Sequence, residues 1–225
     1  MINNLRKDIF ILLIFLTLSF FVSYKKGIFD LDWWVNFDMD IFILSNSVSI
    51  LLNNSQSFYD HPGLIPILLF SLYLFLIDFF NILGFELVHF YNEINFIDYI
   101  KKIIFHLRIF NIFSIGILLF TFYKLFNYYL KNLFLSGLIT ISLFINLNFL
   151  SFNFSPVRTE VISLIFLNSL FLLSFYIKKD RKKLLISGLF LGLALFSKIQ
   201  IILVFFVYIL LFSFISQSIK KKIIN

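Results

Sequence analysis

Asp38 and Asp40, in the run Phe37-Asp38-Met39-Asp40, are the residues of this chain best suited to do chemistry. Two carboxylates two positions apart can divide a proton transfer between a base and a positioning group, or together hold a cation. In a helix they would diverge by about 200°, so joint action calls for an extended or turning backbone. A solvated loop edge accounts equally for two such acids. Tyr59-Asp60-His61-Pro62-Gly63 reads as a turn opening a helix. Asp60 or His61 would cap that helix, or His61 would stand beside the acids. In Ser155-Pro156-Val157-Arg158-Thr159-Glu160, Arg158 is suited to grip a phosphate and Glu160 to orient it or a substrate hydroxyl. The same two side chains could instead make a surface ion pair of little energetic weight. Lys198 is the sole charge between Lys183 and Lys220. In an apolar setting it either snorkels or meets an anion, and Arg108 faces the same choice.

Other chemistries find no pattern here. There is no glycine-rich phosphate loop, no zinc spacing and no nucleophile elbow, and His61, His89 and His106 lack ligand spacing. The expectation is therefore no metal and no cofactor, with a divalent ion shared by Asp38 and Asp40 as the one alternative. Cysteine is absent, which excludes disulfides and thiolate metal sites.

The elements that must position these groups are apolar. Of 225 residues, 60% are hydrophobic and 14% charged, against about 25% charged in soluble domains. Mean hydropathy is +0.97. One soluble core of this length could not bury so much apolar surface. The chain reads as all-α, a polytopic helical membrane protein forming a single membrane domain over 1–225. Its net charge of +7 is not a nucleic-acid signal. The basic residues cluster beside apolar segments, which is the positive-inside pattern.

Six segments are expected to span: 9–24, 103–123, 133–150, 160–177, 184–198 and 199–217. The first reads as an uncleaved signal anchor, because bulky residues stand where a cleavage site needs small ones. A seventh apolar run, 64–85, is long enough to cross, and charge parity decides against it. Without that crossing, one side holds twelve basic residues, Asp8 and Asp180, a balance of +10. The other holds seven basic and ten acidic residues, a balance of −3. A crossing would move the Lys178 to Lys183 cluster outside, against the orientation rule for short loops. The result is a first outer loop, 25–102, and a second, 151–160, with both termini cytoplasmic. The first loop is expected to carry two interfacial helices. One is 41–54, with Ile41, Leu44, Val48, Leu51 and Leu52 on one face and Asn46, Ser49, Asn53 and Asn54 on the other. The second runs from Pro62 to about Asn81. Gly188 and Gly192, four residues apart in 184–198, read as a close helix-packing face.

Taken in order, these pieces resemble the amino-terminal module of GT-C superfamily membrane glycosyltransferases, of the protein-mannosyltransferase and aminoarabinose-transferase type. The likeness rests on an acid pair after the first span, here Asp38 and Asp40. It continues with the turn His61-Pro62-Gly63-Leu64, Arg108 in the second span, and Arg158 with Glu160 before the fourth. It ends with Gly188-Leu189-Phe190-Leu191-Gly192-Leu193-Ala194 leading to Lys198. The chain departs from that pattern in Asp-Met-Asp for Asp-Glu, and in Gly63 for a second proline.

The resemblance implies sugar transfer, with inversion, from a polyprenyl-phosphate carrier to an acceptor glycan, lipid or protein at the outer interface. Asp38 would be the base and Asp40 its support. His61, Arg108, Arg158, Glu160 and Lys198 would bind substrate, with Arg158 or Lys198 on the departing phosphate. It implies a bacterial inner membrane, membrane lipid as surroundings and no nucleic-acid partner. Members of the superfamily are considerably longer, so it also implies further helices, supplied for example by a separate chain. A non-catalytic scaffold, flippase or assembly subunit is the competing reading.

Overall fold

The computed structural model describes residues 2–31, 37–54, 63–90, 95–145, 159–176, 180–198, 200–206 and 209. Every regular element among them is helical. In chain order these are α1 (Ile2–Lys25), α2 (Phe37–Leu51), α3 (Leu64–Phe79), α4 (Phe96–Leu130), α5 (Leu133–Ile145), α6 (Thr159–Tyr176) and α7 (Asp180–Ser197). Two short 3-10 turns, Ile28–Asp30 and Leu87–His89, lie in the connections, and 201–206 is also helical.

Two helices are long and apolar enough to cross a membrane, over Arg6–Lys25 and Phe96–Leu130. The other apolar helices are shorter. α3, at 16 residues, rises only about 24 Å. The expected span 133–150 is helical to Ile145, and most of 199–217 lies outside the described residues.

α4 is the spine. Its 35 residues extend about 52 Å, well beyond the ~30 Å hydrocarbon thickness of a bilayer. The surplus has a packing reason. Ile100, Ile103, Ile104 and Leu107 continue the buried stripe ahead of the most apolar stretch, and they pack with Ile43, Leu44, Val48, Phe70 and Leu74 of α2 and α3. Farther along, Ile112, Ile115, Leu118, Leu119 and Tyr123 pack against Phe15 of α1, Phe144 of α5 and Val161 of α6. A third cluster, Leu167, Leu170, Ala194 and Ile201, joins α6 to α7 and the following turn.

The expected two-faced character of 41–54 is corrected. α2 begins earlier, at Phe37, and Asn46 and Ser49 are buried along with Ile43 and Leu44. The Asn46 amide donates to the Phe42 carbonyl at 2.9 Å, while its Oδ1 is buried with no hydrogen-bond partner among the described residues. Ser47 Oγ donates to the Ile67 carbonyl of α3 at 3.1 Å, and Ser71 Oγ lies 2.8 Å from the same oxygen and 3.2 Å from the Ser47 carbonyl. Small polar side chains thus let α2 and α3 pack closely, and α2 is an internal element wedged between α3 and α4.

The expected glycine packing face is corrected as well. A Cβ on Gly188 or Gly192 would meet nothing within 4 Å. The close approach is at Gly116 of α4, where a Cβ would lie 2.6 Å from Leu16 Cδ2 and 3.1 Å from Leu16 Cα. That contact lets α1 lie directly on α4. Outward faces remain apolar throughout, as with Ile9, Phe10, Leu13 and Ile14 on α1 and Leu68, Leu72, Phe75 and Phe79 on α3.

Candidate functional site where helix ends meet

The beginnings of α3 and α6, the second turn of α2 and the end of α7 converge on a single region. Gly63, just before α3, sits against α6 and α2: a Cβ there would lie 3.4 Å from Thr159 Cγ2 and 4.0 Å from Phe42 Cε1. Thr159 is the first residue of α6 and is buried. The next residue, Glu160, receives Lys198 Nζ on Oε1 at 3.0 Å, and its Oε2 lies 3.4 Å from Thr159 Oγ1. Lys198 directly follows α7, and its backbone N–H still bonds to the Ala194 carbonyl. α3 also packs on α7, which closes the ring of contacts.

Each placement has a local cause. Asn168 of α6 donates to Thr121 of α4 at 3.1 Å, a buried polar contact that fixes how α6 lies along the spine. α6 and α7 are held together by the cluster around Leu167, Leu170 and Ala194. Together these set Glu160 and Lys198 at neighbouring helix ends. Pro66 falls within the first turn of α3, where a missing N–H removes no helical bond.

Among the residues singled out from sequence, Glu160 and Lys198 are brought together directly. Asp38 and Asp40 fall in the first turn of α2, four and two residues before Phe42. The backbone there is helical, so the extended or turning conformation expected of the pair is not found; positions two apart on a helix diverge by about 200°. Their side chains lie outside the described set, as do His61 and Arg158 altogether. In sequence His61 stands two residues before Gly63, and Arg158 one before Thr159.

Arg108 takes a different place. It is 3% exposed within α4 and donates from Nη1 to the carbonyls of Ile28, at 3.3 Å, and Leu31. These acceptors lie 80 and 77 positions earlier, at the start of the segment that leads to α2. Arg108 ties Ile28 and Leu31 to the spine. Sequence reading also passed over Thr159, although it stands between the two charged residues of its motif. It did not anticipate the Lys124–Asp8 pair, 2.8 Å apart at the other end of α1 and α4.

The described residues contain no group of three His, Asp or Glu side chains able to hold a metal. The region offers a cation, a carboxylate and a buried hydroxyl at the ends of apolar helices. That combination suits an anionic head group with polar substituents borne on an apolar chain.

Comparison with family models, with curated proteins and with solved structures finds no match to this chain. The functional reading therefore rests on the site alone and on the order of its motifs.

Proposed function

We propose that the chain is the amino-terminal module of an inverting membrane glycosyltransferase that takes a sugar from a polyprenyl-phosphate carrier. In this reading about six helices span the membrane, 25–102 lies outside, and α2 and α3 sit at the outer interface above the spans. The observation that carries it is the meeting of the helix ends at Gly63, Thr159 and Phe42, beside the Glu160–Lys198 pair. In sequence the acid run precedes Phe42, the His61 motif precedes Gly63 and the Arg158 motif precedes Thr159, which supports this reading.

The chemistry follows from the groups. Asp38 takes the proton of an acceptor hydroxyl as its oxygen attacks the anomeric carbon from the face opposite the phosphate. A new glycosidic C–O bond forms, the C–O bond to phosphate breaks, and configuration inverts. The electron pair leaves on the polyprenyl phosphate, where Arg158 or Lys198 stabilises it. Glu160 holds Lys198 in place until the phosphate arrives. No step calls for a metal or an organic cofactor.

The decisive assay is sugar transfer from a polyprenyl-phosphate donor, with any partner chain supplied. Asp38→Asn is close to isosteric and removes the base, so the rate should fall on the order of 10²–10⁴-fold. Full activity in that variant would refute the base assignment. One observation favours the non-catalytic reading: Glu160 already neutralises Lys198, which by itself satisfies an otherwise costly charge. A wild-type chain that binds the carrier but transfers no sugar from any donor would support it.

A further inference from the structure

The opposite end of the α1–α4 pair holds a cleft of about 400 Å³, lined by Lys7, Asp8, Tyr123, Lys124 and Asn127, with Phe10, Ile11 and Leu133 on its apolar side. None of its lining residues belongs to the site described above. Its volume is within the range of small-ligand sites.

We propose that this cleft binds the phosphate head group of an anionic membrane phospholipid. The proposal needs the membrane setting of the preceding reading but none of its chemistry. Two lysines and one aspartate leave the lining with a net positive charge. Asp8 is committed to Lys124, with Oδ1 and Oδ2 lying 2.9 and 2.8 Å from its Nζ. Lys7 is exposed and has no ion-pair partner among the described residues. The pair therefore fixes Lys124 at the cleft wall while Lys7 remains available. The Asn127 amide and the Tyr123 hydroxyl add neutral hydrogen-bonding groups suited to phosphate-ester oxygens.

The apolar side indicates a lipid. Phe10 is 64% exposed and Leu133 61% exposed at the foot of the cleft. Beyond them, Leu13 and Ile14 continue an exposed apolar face along α1. A head group held by Lys7 and Lys124 would lay its acyl chain over Phe10 and onward across this face. A soluble phosphate would make no use of that surface. Basic pockets between helix ends on the positive-inside face are suited to such head groups.

The test uses the full chain in neutral detergent, with bound lipid counted by native mass spectrometry. The probes are a phosphatidylglycerol and a phosphatidylcholine with the same acyl chains. Wild type should retain the anionic lipid preferentially. Lys7→Gln should lower that retention by about fivefold. The double change Asp8→Asn with Lys124→Gln, which removes the ion pair without stranding either partner, should lower it similarly. Lys131→Gln, an exposed lysine at the same end but outside the cleft, should stay within twofold of wild type. Equal retention of the two lipids by wild type would overturn the proposal. So would a loss in Lys131→Gln as large as in Lys7→Gln, since that would indicate diffuse surface charge. Displacement of the lipid by an equal concentration of inorganic phosphate would also overturn it, by making this a site for a soluble anion.

Discussion

Arg108→Met separates two roles that the same residue could play. If Arg108 gripped the carrier phosphate, the change would abolish carrier binding and leave folding intact. The structure instead has its guanidinium holding the Ile28 and Leu31 carbonyls in a site 3% exposed. Hydrogen bonds to a charged donor contribute roughly 1.5–3 kcal/mol each. Methionine keeps an apolar stem of similar length but returns neither bond. Against this, removing a buried charge recovers part of its desolvation cost. The balance is a loss of about 2–4 kcal/mol, or a fall in thermal midpoint of roughly 5–15 °C for a chain of this size. Arg108→Lys should recover little, because the lysine ammonium stops about one bond short of the Nη1 position that reaches both carbonyls. Detergent-solubilised protein can be melted while a cysteine at Phe29 is labelled. The variant should melt earlier and label faster at position 29. A midpoint within about 1 °C of wild type, together with lost carrier binding, would refute the anchoring role and restore the phosphate-binding one.

Gly116→Ala should destabilise by about 1 kcal/mol, since overpacking against the Leu16 backbone outweighs the helix propensity gained. Gly188→Ala and Gly192→Ala, facing open space, should be neutral or stabilising by up to ~1 kcal/mol in the same melt. Lys198 and Glu160 side chains are 19% and 42% exposed, so screening should hold their coupling in a double-mutant cycle to about 1 kcal/mol or less. Lys198→Met should nonetheless weaken carrier binding far more than it lowers the melting point, and equal small effects on both would leave Lys198 outside the phosphate site. Cysteines at Asn95 and Asp180 should differ in intact cells, with only Asn95 reacting with an impermeant reagent. Labelling of Asp180 alone, or of both equally, would sink the proposed orientation.

The sequence disclosed the helices through their apolar runs, and it misplaced their ends for physical reasons. The run 103–123 marks the most apolar stretch of α4, but the helix begins at Phe96 because Ile100, Ile103 and Ile104 pack beneath α2 and α3. Hydropathy averages Ile100 with exposed Asp98, Lys101 and Lys102, and so leaves it outside that run. α2 was misread in the opposite sense. Asn46 and Ser49 look like a wet face, yet they are buried; the Asn46 amide bonds back to the Phe42 carbonyl of its own helix, and the neighbouring Ser47 bonds across to the Ile67 carbonyl of α3. The glycine signal failed likewise. Spacing of four made Gly188 and Gly192 conspicuous, whereas close packing falls on the single glycine, Gly116, opposite Leu16. Periodicity identifies a face but not the partner that meets it.

Lone charges proved more informative, and their failures share one cause. Sequence singled out Lys198 and Arg108 because each is costly in an apolar setting, and Glu160 as the acid of an outer-loop motif, and the structure gives all three close partners. A costly charge guarantees a counterpart without naming it. For Lys198 the counterpart is an acid from a neighbouring helix end, and for Arg108 it is backbone far upstream. The distinction governs function. A carboxylate partner can be exchanged for a phosphate, since both are anions competing for one ammonium. Two backbone carbonyls cannot be exchanged without releasing the segment that leads into α2. Under the proposed function Lys198 is therefore the residue from which a lipid phosphate would draw binding energy, while Arg108 holds Ile28 and Leu31 against the spine.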